Sequence, residues 1–264
     1  MNIYIAVVSH GHSELINRLS CLSSLVEKYQ VVVKSNKYGD DFNGLLANQN
    51  FKWIDSQYGC GFGRNNNIIF NYCCSSLGMS KDDCFIVLNP DVVISIVCIE
   101  RLAHELRLRK TQLSAINLFK DTESTNYDNS VRKFPSLLQF IRSFLGLGNT
   151  SIIDKDKLTI PSKVDWAAGS FLAFRAGHYA ALGGFDENYF MYCEDIDICY
   201  RSHLLGESVT YYPEIKALHL AQHANRKFFS KHFYWHLTSA IRFLFTKMGL
   251  RKAKSSLSSS FREI

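Results

Sequence analysis

Short apolar runs that end abruptly in polar or glycine-containing loops, with helical-period segments between them, constrain this chain most. Met1–Ser9, Gln30–Lys34, Phe51–Ile54, Cys84–Leu88 and Leu113–Phe119 are such runs. Between them, Ser13–Lys28 places Leu15, Leu19, Leu22 and Val26 on one helical stripe, and Ile68–Leu77 and Ile96–Arg109 are further helical stretches. Gly59–Asn67 reads as a flexible polar turn leading into the second helix. Continuous apolar strands are buried on both faces, so this order predicts an α/β fold with a mostly parallel central sheet covered by helices.

After Lys120 the pattern loosens. Asp121–Ser130 reads as a polar loop, Pro135–Leu147 as a helix and Gly148–Pro161 as a connector. Val164–Arg175 returns to strand character, Ala176–Leu182 is a short helix, and Glu207–Tyr212 a further strand. With 47% hydrophobic and 20% charged residues, the composition excludes a disordered chain. No stretch reaches the roughly 18 consecutive apolar residues of a membrane-spanning helix. The N-terminal run has no basic leader and reads as a buried strand. Eight cysteines without a CxxC pair lack zinc-ligand spacing and point to reduced thiols in the cytoplasm. The +6 net charge is concentrated: from Arg226 onward there are nine Lys or Arg against one acid, and the remainder is slightly acidic.

Ligands of open α/β sheets bind beyond the carboxyl ends of the strands. Ser9-His10-Gly11-His12, Ser35-Asn36, Gly61–Asn67 and Asn89-Pro90-Asp91 all fall there. The glycines at 59, 61 and 63 do not follow a dinucleotide fingerprint or a P-loop, so alone they mark only a turn. Asn89-Pro90-Asp91 is more specific. Pro90 ends a central strand and Asp91 projects a hard oxygen ligand from its rim, suited to Mg²⁺ or Mn²⁺ shared with substrate phosphates; a turn-forming Asp is the plainer alternative. Gly183–Arg201 holds five carboxylates among aromatic and aliphatic residues. Glu194 and Asp195 fall in the first turn of a helix, where free N–H groups favour an ionised carboxylate fit to act as a general base. Ordinary acidic capping with an Asp197–Arg201 pair explains the same spacing.

Leu88-Asn89-Pro90-Asp91, Trp166-Ala167-Ala168-Gly169-Ser170-Phe171, and Gly183-Gly184-Phe185-Asp186-Glu187 with Glu194-Asp195-Ile196-Asp197, resemble the inverting GT-A glycosyltransferases of family 2. Among these the likeness is to bacterial rhamnosyltransferases of O-antigen assembly. It runs from Ile3 to about Arg242, and Val131–Pro135 and His223–Phe229 extend it. The resemblance implies a nucleotide-sugar donor, with Ser9 and Asn36 near the base and Gly63, Asn66 and Asn67 around the sugar and diphosphate. It places Asn89 and Asp91 at the DXD-type motif, Asp91 and His219 as metal ligands, and Asp195 as base with Glu194 as a second candidate. Trp166, Gly169 and Asp186 fall at the acceptor site. The family often has Asp-Asn at the end of the second strand, where this chain has Ser35-Asn36. The implied reaction moves L-rhamnose from dTDP-L-rhamnose to a polyprenyl-diphosphate-linked sugar. A UDP- or GDP-sugar donor, or a binding protein without turnover, remain alternatives.

These readings divide the chain into a GT-A domain over residues 1–225 and a basic, aromatic helical segment over 226–264. In the latter, Phe233, Leu237, Ile241, Leu244 and Met248 recur at helical spacing. Such a helix is read as a peripheral anchor on the anionic inner face of the bacterial inner membrane, with docking on the domain as the alternative. A nucleic-acid partner is not expected, since no recognition motif accompanies the charge.

Overall fold

The computed structural model describes residues 1–147, 150–220 and 230–257. In chain order the elements are β1 (Ile3–Ser9), α1 (Ser13–Leu19), α2 (Cys21–Leu25), β2 (Gln30–Ser35), β3 (Phe51–Ile54), α3 (Phe62–Leu77) and β4 (Cys84–Leu88). Then come β5 (Val92–Val93), α4 (Ile96–Leu108), β6 (Leu113–Phe119), β7 (Val131–Arg132), α5 (Leu137–Phe144), β8 (Ser162–Val164) and β9 (Trp166–Ala167). The last are β10 (Phe171–Arg175), α6 (Ala176–Ala181), α7 (Glu194–Leu204), β11 (Val209–His219) and α8 (Lys231–Lys247).

The main sheet runs β3-β2-β1-β4-β10-β6-β11-β5, with β8 also on β11. Strands β3, β2, β1, β4, β6 and β11 point the same way, while β10 lies antiparallel between β4 and β6. The GT-A-like, mostly parallel sheet expected from the strand–helix alternation is therefore present. Period-2 side-chain alternation feeds two cores. From β1, Tyr4 and Ala6 join the core under α3, α6 and α7, while Ile3, Ile5 and Val7 join the one under α1, α2 and α4. On β4, Phe85 and Val87 take the first side and Ile86 and Leu88 the second.

Several boundaries differ from the sequence reading. The helix expected over 13–28 breaks at Ser20, which sits in the left-handed region at φ 53° and caps α1 through its own N–H. The polar turn at 59–67 is helical from Phe62, because the amides of Asn65 and Asn66 donate to the carbonyls of Gly61 and Phe62 one turn back. Gly61 is required at that N-terminus: a Cβ there would lie 2.6 Å from the Phe190 carbonyl oxygen, which also accepts the Phe62 N–H. The stretch 164–175 splits into β8, β9 and β10. The strand expected to end at Tyr212 continues to His219, since a register shift between Tyr212 and Lys216 absorbs Pro213.

The basic C-terminal helix α8 docks on the domain through Ser239, Ala240 and Phe243, which are buried. That is not the stripe read from the sequence, of which Leu237, Ile241 and Met248 face outward. Arg242 forms an ion pair with the buried Asp186, and the Lys254 N–H bonds the same carboxylate. The boundary expected at 225/226 and His223–Phe229 lie outside the described residues.

Candidate active site

The carboxyl ends of β1, β2 and β4 converge with the start of α3. Ser9 is buried and donates its hydroxyl to Asp40 (2.9 Å) while accepting the His12 N–H. Asn36 clamps the loop before α3, donating to the Cys60 carbonyl (2.9 Å) and accepting the Cys60 N–H (2.8 Å). Asn66 is buried, with an Oδ1 that has no partner among the described residues. Arg64 is exposed in the same first turn.

A second cluster forms where β5 pairs with β11, placing His219 opposite Val92 and so beside Asp91. His219 Nε2 lies 3.4 Å from Asp91 Oδ1, and Nδ1 is hydrogen-bonded to Asp128. Burial works to lower the His219 pKa, but hydrogen bonds and charge from Asp128 and Asp91 outweigh it and hold it at about 9. Lys155 is buried nearby on Ser130 Oγ (3.1 Å), Asn117 and the Leu118 carbonyl. Its desolvation, opposed by the charge of Asp128, brings it down to about 8. No group of three or more candidate ligands surrounds one point among the described residues. The donor set nonetheless fits a hard divalent cation: one carboxylate and one imidazole, whose Nε2 proton the cation would have to displace and whose other nitrogen is fixed by Asp128, with the remaining positions left to phosphate oxygens and water.

The third cluster is the N-terminus of α7. Tyr192 and Cys193 precede it in the left-handed region at φ 72° and 62°, a conformation that costs non-glycine residues about 1–3 kcal/mol and gathers at functional sites. Asp195 accepts N–H bonds from Gly169 (3.1 Å) and Ile196 (2.8 Å). Gly169 is packed so that a Cβ would meet the Phe62 ring at 3.1 Å. Burial raises the Asp195 carboxyl above its ordinary value, opposed by those two N–H groups and by the charge of Arg132. Glu194 is more deeply buried, its Oε2 has no hydrogen-bond partner among the described residues, and desolvation with the Asp195 charge pushes it well up. The two neighbours are thus separated: Glu194 is held further toward its protonated form than Asp195. Arg132 stacks over Trp166, 5.4 Å from the ring centroid, and the Trp166 indole donates to the Lys133 carbonyl.

Over 252 residues, 93% of this chain and 93% of the relative, the sequence is 39% identical to rhamnosyltransferase WbbL of Escherichia coli (strain K12). The chain belongs to the rhamnosyltransferases of the GT-A glycosyltransferase fold. It is also 31% identical over 171 residues to the N-acetylglucosaminyl-diphospho-decaprenol L-rhamnosyltransferase of Mycobacterium tuberculosis (strain ATCC 25618 / H37Rv), covering 62% of this chain and 55% of that protein. The fold resembles S. aureus TarS at a TM-score of 0.57 and 12% identity, over all of this chain and 42% of that one. TarS 1–349 in complex with UDP-GlcNAc matches at 0.56 and 12%, over all of this chain and 70% of that one. No protein-family model matches the chain.

Within this rhamnosyltransferase, three residues expected to meet substrate make packing contacts inside the domain. Asn67 is fully buried: its amide donates to the Phe185 carbonyl and Glu187, and its oxygen accepts from Tyr179 and the Phe185 N–H. Gly63 lets α3 approach Phe185, since a Cβ would lie 2.7 Å from that side chain. Asp186, fully buried, holds Arg242 and Asn188. Trp166 is only 6% exposed and serves as a base for Arg132 more than as an open wall. Asn89 is half-buried, with its N–H on the Ser170 carbonyl. Asp40 and Asp128 are not singled out by the sequence, and Arg132 enters there only as part of the Val131–Pro135 likeness, without a role of its own. Asp40 and Asp128 sit in loops where an Asp ordinarily signals a turn, and only contacts 31 and 91 residues away separate them from that background.

Proposed function

We propose that this enzyme transfers a sugar, with L-rhamnose from dTDP-L-rhamnose favoured, to a hydroxyl of a polyprenyl-diphosphate-linked sugar in surface-polysaccharide assembly. The reading rests on one observation above others: Asp195 is oriented by the backbone N–H groups of Ile196 and of Gly169, the latter beside Ser170, whose carbonyl meets Asn89 at the carboxyl end of β4. The M. tuberculosis relative's name, with its diphospho-decaprenol acceptor and L-rhamnose, supports the acceptor and sugar classes. Asp195 takes the proton of the acceptor hydroxyl as that oxygen attacks the anomeric carbon from the face opposite the diphosphate, inverting the configuration in one displacement. Asp91 and His219 would hold Mg²⁺ or Mn²⁺, which supplies neutralisation of charge on the departing diphosphate. Ser9 and Asn36 shape the nucleoside end, and Asn66, Asn89 and the start of α3 the diphosphate end. The basic C-terminal segment keeps the enzyme peripheral on the cytoplasmic face of the inner membrane, where such acceptors lie.

The test is sugar transfer by purified protein from dTDP-L-rhamnose to a lipid-diphosphate-GlcNAc acceptor with Mg²⁺ or Mn²⁺, with and without EDTA. Product lost with EDTA supports both the reaction and the cation. Product only with UDP- or GDP-sugars discards rhamnose and keeps the mechanism.

Two further results are expected. Asp195 must be ionised to act, and its pKa lies above the ordinary carboxylate range, so kcat/KM falls as pH drops through that raised value. Removing the Arg132 charge by Arg132→Met moves this acid limb to higher pH; an unmoved limb separates Arg132 from Asp195. Asp128→Asn removes the carboxylate that orients His219 and weakens Mn²⁺ binding by about 10–100-fold, read by calorimetry on the protein without substrates. Unchanged affinity would place His219 outside the cation site.

A further inference from the structure

Helix α5 turns only one edge of its apolar arc inward. Its Phe140 is buried and meets Phe243 of α8, ring centroids 6.4 Å apart. Leu137, Leu138, Ile141 and Leu145 are 59%, 66%, 44% and 66% exposed. At 100° per residue, Leu138, Ile141 and Leu145 form one outward row with Leu137 beside it. The neighbouring α8 likewise carries Leu237, Ile241 and Met248 outward, on the side away from its docked residues Ala240 and Phe243. An apolar surface of this kind on two adjoining helices marks an interaction face.

Charge identifies the occupant. Residues 131–153 contain Arg132, Lys133 and Arg142 and no acid, and residues 230–257 contain six Lys or Arg and no acid; of these Arg242 is taken up by Asp186 and Arg132 lies over Trp166, which leaves Lys133, Arg142 and five cations of the second segment. Exposed leucines beside basic side chains, with no carboxylate in either segment, complement an anionic bilayer, with acyl chains under the leucines and headgroups against the cations. The face also adjoins the reaction centre. Helix α5 follows β7 directly, and β7 pairs with β9, whose strand leads to Gly169 and its N–H bond to Asp195.

We propose that α5, together with the outer side of α8, is the bilayer-docking face of this enzyme, with the Leu138–Ile141–Leu145 row entering the acyl boundary of an anionic membrane. This rests on the lipid-linked acceptor reading and deepens it by naming the element that meets lipid. The face presents Asp195 to acceptors that remain in the membrane.

The experiment is flotation of the full chain with phosphatidylglycerol-containing or pure phosphatidylcholine vesicles, at low and high salt. It compares wild type, the α5 variant Leu138→Ser/Ile141→Ser/Leu145→Ser and the α8 variant Ile241→Ser/Met248→Ser, with light scattering on each. The expected result is that the α5 variant loses at least about tenfold in binding to anionic vesicles. It keeps its melting temperature and its turnover of a short-chain, water-soluble acceptor, and loses turnover of the full-length acceptor in vesicles. Flotation of the α5 variant equal to wild type overturns the inference; if the α8 variant alone then fails to float, the peripheral-membrane reading survives without α5. A wild type that floats with neither vesicle overturns both, while transfer to the soluble acceptor still reports separately on the reaction. A wild-type dimer that the α5 variant makes monomeric would assign the face to a second copy and overturn the inference.

Discussion

Asp195→Asn lowers sugar transfer by about 10²–10⁴-fold, the usual contribution of a general base, and leaves donor affinity nearly unchanged. The side chain keeps its shape, and its remaining oxygen still accepts one of the two N–H bonds from Gly169 and Ile196. What disappears is the capacity to take a proton. The control is Glu194→Gln. Burial and the charge of Asp195 hold Glu194 toward its protonated form, so a neutral amide changes its charge less and transfer survives to a much greater degree. Single-turnover rates and donor binding by calorimetry, measured on both variants, separate the two carboxyls. Loss of transfer in Glu194→Gln with retention in Asp195→Asn would reverse the assignment.

Asp186→Ala destabilises the fold by about 3–5 kcal/mol, the cost of removing one partner of a buried ion pair. Asp186 Oδ2 accepts from Arg242 Nε (2.9 Å) and a second guanidinium nitrogen (2.6 Å), and Oδ1 accepts from Asn188 and the Lys254 N–H. The variant strands a largely buried guanidinium and frees the segment after α8, so urea denaturation shows a lower midpoint and proteolysis near Lys254 accelerates. Adding Arg242→Met removes the stranded charge and restores most of the loss. An Asp186→Ala enzyme of wild-type stability with a raised acceptor KM would return the residue to the acceptor site. In this structure the acid of the Gly183–Glu187 motif ties α8 and the segment after it to the domain.

Much of the scaffold was legible in local pattern. Uninterrupted apolar runs such as Ile3–Val8 and Cys84–Leu88 announce strands buried on both faces, and the structure places them adjacent and parallel. Boundaries failed where a side chain supplied a bond that propensity does not anticipate. Asn65 and Asn66 satisfy carbonyls within α3, so a run of asparagines that reads as loop is helix. Pro213 reads as a strand terminus, yet a bulge carries β11 past it, and only for that reason does His219 arrive beside Asp91.

The site divides along the same line. The residues expected to hold a cation or accept a proton, namely Asp91, His219, Glu194 and Asp195, are marked by residue type and position relative to strand and helix ends. What each one does was decided by partners distant in the chain. Asp128 reaches His219 across 91 residues, Gly169 turns its N–H to Asp195 across 26, and Arg242 occupies Asp186 across 56. The amino-acid order determines which charges exist and which local elements carry them. Their ionisation and availability follow from desolvation and from whichever donors and charges surround them, and those quantities come into being only when the sheet, α7 and α8 have packed.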